Sequence, residues 1–145
     1  MRSFISSIPQ DSLLTNPSAD GGEHPMAQFD QQTLRKLHDL KEVTIRTTKH
    51  PASAVTIWVV VSDADVFVRS VRGTKGRWYK DLANGGLATL EFNGEQLAVQ
   101  AAPATDAVST ERASQEFLSK YRTSPYATSI VRAEVLGTTL RLDPQ

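Results

Sequence analysis

The residue types best suited to bind a ligand are concentrated in segment 69–80. This segment has cationic side chains but no acidic one, in a chain whose formal net charge is zero. Its cations are Arg69, Arg72, Lys75, Arg77 and Lys80. Gly73 and Gly76 lie between them and allow backbone N–H groups to approach an anion closely, while Ser70 and Thr74 add hydroxyl groups. The pattern predicts a phosphate cradle. The alternative is a solvated hairpin loop, because runs of charge usually face water.

A second polar and basic patch precedes Pro51 and comprises residues 46–50. If the end of this strand lies near segment 69–80, we expect Arg46 and Thr48 to contact the same phosphate group. The alternative is ordinary surface, since a lone histidine such as His50 at a strand end is more often exposed than a ligand.

The chain has two tryptophans, Trp58 and Trp78. Trp58 lies in a predicted strand and Trp78 in a predicted short helix that follows the basic loop. An aromatic ring of this size can form one wall of a site for a planar molecule by stacking against it. The alternative is packing in the core or in a dimer interface, where aromatic residues also dominate.

Several classes of chemistry are excluded or disfavoured by composition. The chain has no cysteine, so thiolate nucleophiles and cysteine-ligated metals are excluded. Its histidines, His24, His38 and His50, share no metal-ligand spacing, and we expect no metal site. The nucleophile elbow, the phosphate loop and the dinucleotide fingerprint are absent from the sequence, which disfavours hydrolases and nucleotide triphosphatases. Zero net charge disfavours nucleic-acid binding.

The apolar runs are too short to cross a bilayer, and the N-terminus does not resemble a signal peptide. We therefore expect a cytoplasmic protein without membrane association. Residues 1–25 are rich in serine, proline, glycine and asparagine, which predicts a flexible extension, and Met26 is an alternative start. A single domain is expected over residues 26–143.

Hydrophobic periodicity predicts two main helices and six strands. Asp30 is a good N-cap for a helix that ends near Glu42, with Phe29 and Leu34 forming a hydrophobic staple. The other main helix is expected over 106–121, with short helices over 77–84 and 126–133. The strands are expected at 43–48, 55–61, 66–71, 87–92, 95–102 and 135–142. Asn93-Gly94 is a strong hairpin signal.

Strands without regularly alternating helices predict a β-rich α+β fold, an antiparallel sheet or barrel with two flanking helices. The strand predicted over 55–61 is apolar on both sides, because Trp58 and Val60 oppose Ile57 and Val59. Both of its faces must then be covered, one by the barrel interior and the other by helices or a second subunit. We expect a homodimer with the ligand site at or beside its interface.

Three segments and the C-terminal end together resemble a known family. The segments are 55–61 (VTIWVVV), 66–73 (VFVRSVRG) and 77–82 (RWYKDL), and the ending is 134–142 (EVLGTTLRL). Over residues 27–143 this combination resembles a bacterial family, domain of unknown function 2255. A more distant resemblance is to the deazaflavin-dependent nitroreductases. It is carried by Ser70, Gly73, Trp78-Tyr79 and Leu82-Ala83-Asn84. The chain departs from that group in having Asp81 for asparagine, Gly85 for proline, and a glycine pair split into Gly73 and Gly76.

Both resemblances imply a split β-barrel of the FMN-binding type, with about six mainly antiparallel strands, as in the pyridoxamine phosphate oxidases. Those proteins are homodimers that hold FMN or a deazaflavin coenzyme near the interface. The resemblance therefore implies a flavin- or deazaflavin-dependent oxidoreductase acting on a small-molecule substrate. The cofactor-binding residues expected on this basis are Arg46, Thr48, Thr56, Trp58, Ser70, Arg72, Lys75, Arg77 and Trp78. The alternative is a non-catalytic module that binds haem, a nucleotide or another anion, or an acidic partner.

Overall fold

The structure is a computed structural model that describes residues 28–145. The expected extension over 1–25 lies outside these residues. The strands are β1 (Val43–Thr47), β2 (His50–Ile57), β3 (Val60–Ser62), β4 (Asp65–Val68), β5 (Gly86–Phe92), β6 (Glu95–Pro103) and β7 (Leu140–Pro144). The α-helices are α1 (Gln31–Asp39), α2 (Arg77–Leu82), α3 (Ala107–Lys120) and α4 (Ala133–Leu136), and 3₁₀-helices cover Gly73–Lys75 and Ala127–Val131.

Two local signals in the sequence, the N-cap Asp30 and the turn Asn93-Gly94, have the structures predicted for them. Helix α1 begins after Asp30, whose carboxylate accepts a hydrogen bond of 2.7 Å from the Thr33 backbone N–H. Strands β5 and β6 are joined at Asn93 and Gly94, whose φ angles of 53° and 75° are those of a primed hairpin turn.

All strands belong to one antiparallel sheet in the order β2-β1-β5-β6-β7-β4-β3. The two edge strands, β2 and β3, are consecutive in the chain and joined only by Trp58 and Val59. A flat seven-stranded sheet would hold its edges roughly 28 Å apart, whereas this link reaches about 11 Å. The sheet must therefore curl until its edges meet. No backbone pairing joins β2 to β3 within residues 28–145, so the barrel remains split there.

The link that closes the barrel is fixed by the C-terminal end of α3. Lys120 Nζ donates to the Val59 carbonyl at 2.6 Å and to the Leu37 carbonyl at 2.9 Å. The Tyr121 hydroxyl donates to the Lys41 carbonyl at 2.6 Å and accepts from the Val59 N–H at 3.3 Å. Burial lowers the pKa of Lys120 to about 8 and raises that of Tyr121 to about 12. The link is held by side chains distant in sequence.

Buried side chains form two clusters, one on each side of β3 and β4. The barrel interior contains Val59, Val66 and Val68 with residues of α1, α2 and the other strands. The second cluster places Val60 and Phe67 beneath α3. Helix α3 thus packs on the outer face of β3 and β4, which is the helical alternative of the two covers expected for this face.

Three predicted strands are wrong in their bounds. The strand expected over 66–71 is β4, which ends at Val68. The strand expected over 55–61 divides into β2 and β3, which gives seven strands rather than six. The strand expected over 135–142 begins only at Leu140, because Val135 and Leu136 belong to α4. The hydroxyls of Thr138 and Thr139 donate to the carbonyls of Val135 and Leu136 at 2.7 Å and stabilise that turn.

Candidate functional site

A cleft of about 550 Å³ lies at the split of the barrel. Its walls come from Glu42 before β1, from β2 and the following link, from the segment between β4 and α2 together with the first turn of α2, and from the second 3₁₀-helix and the turn before it. The lining residues are Glu42, Val55, Thr56, Ile57, Trp58, Arg69, Ser70, Val71, Arg72, Gly76, Arg77, Trp78, Tyr126 and Ser129. This volume is within the range of sites for small molecules and cofactors.

Ser70 supplies a buried hydroxyl without a hydrogen-bond partner. The residue is 1% exposed, and among residues 28–145 its Oγ is the one buried side-chain N or O atom that makes no hydrogen bond. A buried polar group without a partner costs about 1–3 kcal/mol. Because Ser70 lines the cleft, a ligand atom is the natural partner for this hydroxyl.

Gly76 leaves the space that the Ser70 hydroxyl occupies. A Cβ atom at Gly76 would lie 2.6 Å from Ser70 Oγ, which is closer than real Cβ contacts. The φ of Gly76 is −64°, so the backbone there does not require glycine. Glycine is favoured at position 76 for a steric reason, because a Cβ atom there would collide with the Ser70 hydroxyl.

Arg69 brings a buried positive charge to the same wall. Its side chain is 2% exposed and donates to Thr139 Oγ1 at 2.8 Å, the Ile130 carbonyl at 3.1 Å and the Thr110 carbonyl at 2.8 Å. All three acceptors are neutral, and the guanidinium lies 5.4 Å from the centre of the Phe117 ring. Burial lowers its pKa to about 10. No carboxylate in the described part of the chain forms an ion pair with this cation.

Arg72 and Arg77 place two more cations on the cleft, and both are exposed. The tight turn between them depends on Gly73, whose φ of +66° is unfavourable for other residues. The Gly73 N–H donates to the Ser70 carbonyl at 2.9 Å, which draws the loop back over the end of β4. The loop thereby presents Ser70, Arg72 and Arg77 to one cavity.

The two tryptophans form parts of the cleft wall, as does Thr56 on β2. The Trp58 ring stacks on Tyr121 with centroids 3.9 Å apart and planes at 3°. Trp78 is 8% exposed and meets Tyr79 edge-on. Trp58 is therefore held rigidly by the same residue that fixes the closing link.

The structure brings six of the nine predicted site residues together in the cleft. These are Thr56, Trp58, Ser70, Arg72, Arg77 and Trp78. The other three lie outside its lining. Arg46 pairs with Glu91 at 2.8 Å, Thr48 is exposed in the β1–β2 turn, and Lys75 is exposed in the 3₁₀-helix Gly73–Lys75.

The β1–β2 turn is tied to α2 instead of to the cleft. Asp81 accepts hydrogen bonds from Thr47 Oγ1 at 2.6 Å and from His50 Nδ1 at 2.7 Å. Burial works to raise the pKa of Asp81, but these two hydrogen bonds, together with the charges of His50 and Lys49, outweigh it and hold the pKa below its ordinary value. Asp81, which stands where the nitroreductase pattern has asparagine, therefore anchors this turn.

Sequence reasoning did not include Arg69, Glu42, Tyr126 and Ser129 in the site. Only Arg69 gave a signal, because a charged residue on a strand needs water, a partner or a ligand. Within residues 28–145 no group of three or more metal-ligating side chains is present, and no helix is long and apolar enough to span a membrane.

The curled antiparallel sheet, its strand order and the open edge between β2 and β3 define a split β-barrel, as expected. The chain belongs to the bacterial family described as uncharacterized protein conserved in bacteria (DUF2255), whose model matches residues 33–142. Family membership confirms the resemblance drawn from the three segments and the C-terminal ending. No curated protein matches the chain.

Solved structures similar to this chain include the following two. A general stress protein 26 from Jannaschia sp. CCS1 has 15% identity and a TM-score of 0.55, covering 77% of this chain and 70% of its own. The flavocytochrome Anf3 from Azotobacter vinelandii has 15% identity and a TM-score of 0.49, covering 86% and 67%. At this identity the similarity to the first concerns the fold alone.

Proposed function

We propose that this protein is an oxidoreductase that binds a phosphate-bearing flavin, FMN or a deazaflavin coenzyme, in the cleft and acts on a small-molecule substrate. The observation that carries the proposal is the hydroxyl of Ser70, which has no hydrogen-bond partner among residues 28–145. It lies in a cleft with three arginines, Arg69, Arg72 and Arg77, that pair with no carboxylate of the described residues. A hydroxyl and guanidinium groups are the donors that bind phosphate oxygens.

The residues fit such a cofactor by charge and by shape. Ser70, Arg72 and Arg77 would hold its phosphate, and the buried charge of Arg69 would gain the nearby anion that it lacks. Trp58, Trp78 and Thr56 would border its ring. The cofactor itself carries hydride or electrons, so the protein has to bind, orient and exclude water. The aromatic and aliphatic wall of the cleft serves that exclusion.

Absorbance and titration test the proposal directly. The purified protein should bind FMN or the deazaflavin at micromolar concentrations, with quenching of tryptophan fluorescence because both tryptophans line the cleft. If the protein binds neither compound at these concentrations, the proposal is refuted.

Arg72→Ala is expected to weaken cofactor binding by about 1.5–3 kcal/mol, roughly ten- to 150-fold, the range for a hydrogen bond to a charged group. Folding stability should change little, because the side chain is exposed. Lys80→Ala is the matched control, since it removes an exposed cation from the same segment outside the cleft. Isothermal titration calorimetry with FMN measures the cofactor affinity of each variant. Equal losses in the two variants would mean that Arg72 acts only through general charge.

A non-catalytic anion-binding module is the second candidate. It is favoured by one feature: among the described lining residues, no nucleophile and base are hydrogen-bonded to each other. Haem, a nucleotide or inorganic phosphate would then stabilise the protein against heat without turnover under any reductant.

We also propose that two copies associate beside the cleft. Val71 and Tyr126, 50% and 69% exposed, lie at the cleft and leave apolar surface there. We expect sedimentation equilibrium at low micromolar concentration to show a dimer, weakened by Tyr126→Glu. Val108→Glu, at an equally exposed apolar residue on α3 away from the cleft, should not weaken it. A species that stays at 15.9 kDa would contradict association.

A further inference from the structure

The cleft contains one carboxylate besides its arginines. Glu42, between α1 and β1, is the acidic residue among the lining side chains, and it is exposed. Within residues 28–145 it takes part in no ion pair and no side-chain hydrogen bond. The other glutamates near this end of β1 are neutralised, since Glu91 pairs with Arg46 and Glu95 with Lys36. The cleft therefore carries separated charges of both signs.

Glu42 is next in the chain to a residue that contacts an aromatic stack. The Tyr121 hydroxyl donates to the carbonyl of Lys41 at 2.6 Å, and Glu42 and Trp58 both line the cleft. Tyr121 in turn covers one face of Trp58, which leaves the rest of the indole ring to line the cleft. A carboxylate and an indole face attract an organic ammonium ion by charge and by cation–π interaction.

We propose that the molecule bound beside the cofactor is an organic cation, an ammonium group on an apolar body, with its charge at Glu42 and Trp58. The inference rests on the proposed function, which assigns the anionic cofactor to Ser70 and the arginines. Without the cofactor, Coulomb repulsion from Arg72 and Arg77 keeps a cation away from their side of the cleft. With the cofactor bound, its phosphate occupies that side, so the carboxylate side is the place for the ammonium group in both states.

Three probes of similar size and different charge test this inference: benzyltrimethylammonium, benzyl alcohol and benzoate. Tryptophan fluorescence of the full chain reports binding, because both tryptophans line the cleft. We expect the cation to bind at least about threefold more tightly than the alcohol, the effect of an exposed charge plus a cation–π contact. The preference should shrink as salt is raised. It should be present with and without saturating FMN.

Glu42→Gln should abolish the preference for the cation and leave the binding of benzyl alcohol unchanged. Glu111→Gln is the matched control, because it removes the same charge from an exposed residue of α3 outside the cleft. Equal binding of cation and alcohol, or an equal effect of both variants, would overturn the inference. FMN binding without a cation preference overturns this inference alone. A Glu42-dependent preference without FMN binding supports the cation site and refutes the flavin proposal.

Discussion

Arg69→Met is expected to lower the free energy of unfolding by about 2–4 kcal/mol. The substitution leaves the Ile130 carbonyl without its arginine donor, and a buried acceptor left unpaired costs about 1–3 kcal/mol. The Thr110 carbonyl loses a second donor but stays bonded within α3, and loss of that hydrogen bond adds about 1 kcal/mol. Loss of the buried charge offsets part of this cost, since desolvation of an unpaired guanidinium is unfavourable. Urea denaturation measures the difference.

The same variant should also lose stabilisation by anions. In the wild type, a bound anion compensates the charge of Arg69, so FMN should raise the thermal midpoint more than it does in Arg69→Met. Arg112→Met is the matched control. Arg112 is half-buried and, like Arg69, lies near the centre of an aromatic ring, at 5.5 Å from that of Phe67, but its charge is already paired with Asp65 at 3.0 Å. An equal loss of FMN stabilisation in both variants would show that Arg69 serves the fold only.

The closing link shows what the sequence could not predict about the fold. Trp58 and Val59 are residue types common in strands, so local propensity predicts one continuous strand through them. The strand is interrupted because Lys120 and Tyr121, sixty residues further along the chain, bind the Val59 backbone. Such long-range hydrogen bonds leave no mark in a local pattern.

The C-terminal region was mispredicted for a related reason. The alternation of Leu136, Thr138 and Leu140 fits a strand, yet both threonine hydroxyls at 138 and 139 bond backward to carbonyls three residues earlier. Signals in the sequence were sufficient where the structure is decided locally. Asp30 capping α1 and Asn93-Gly94 joining β5 to β6 are examples.

The candidate site was predictable in part, because charge density in segment 69–80 is visible without any structure. Which of those cations enter the cleft depends on the turn at Gly73, which brings in Arg72 and leaves Lys75 exposed outside the lining. The inward position of Arg69 depends on acceptors from α3 and the second 3₁₀-helix. Glu42 joins the cleft only because the sheet curls.

Gly76→Ala is expected to abolish most cofactor affinity, and the loss should depend on Ser70. The new methyl group would lie 2.6 Å from Ser70 Oγ and displace the hydroxyl from its place on the cleft. Loss of a hydrogen bond to a charged phosphate corresponds to about 1.5–3 kcal/mol, roughly ten- to 150-fold in the dissociation constant of FMN. Ser70→Ala should lose a similar amount of affinity.

The double variant distinguishes this mechanism from simple damage to the loop. In Ser70→Ala the clashing oxygen is gone, and the Cβ of residue 70 lies 3.7 Å from the new methyl group, an ordinary contact. Adding Gly76→Ala to Ser70→Ala should then cost little further affinity and little stability, although Gly76→Ala alone lowers the free energy of unfolding by about 1–2 kcal/mol.

Ser70→Ala alone should equal or exceed the wild type in stability without ligand, because it removes an unpaired buried hydroxyl. FMN titration and urea denaturation of the four proteins give both coupling energies. Additive losses would mean that the Ser70 hydroxyl and the space at Gly76 do not form one site.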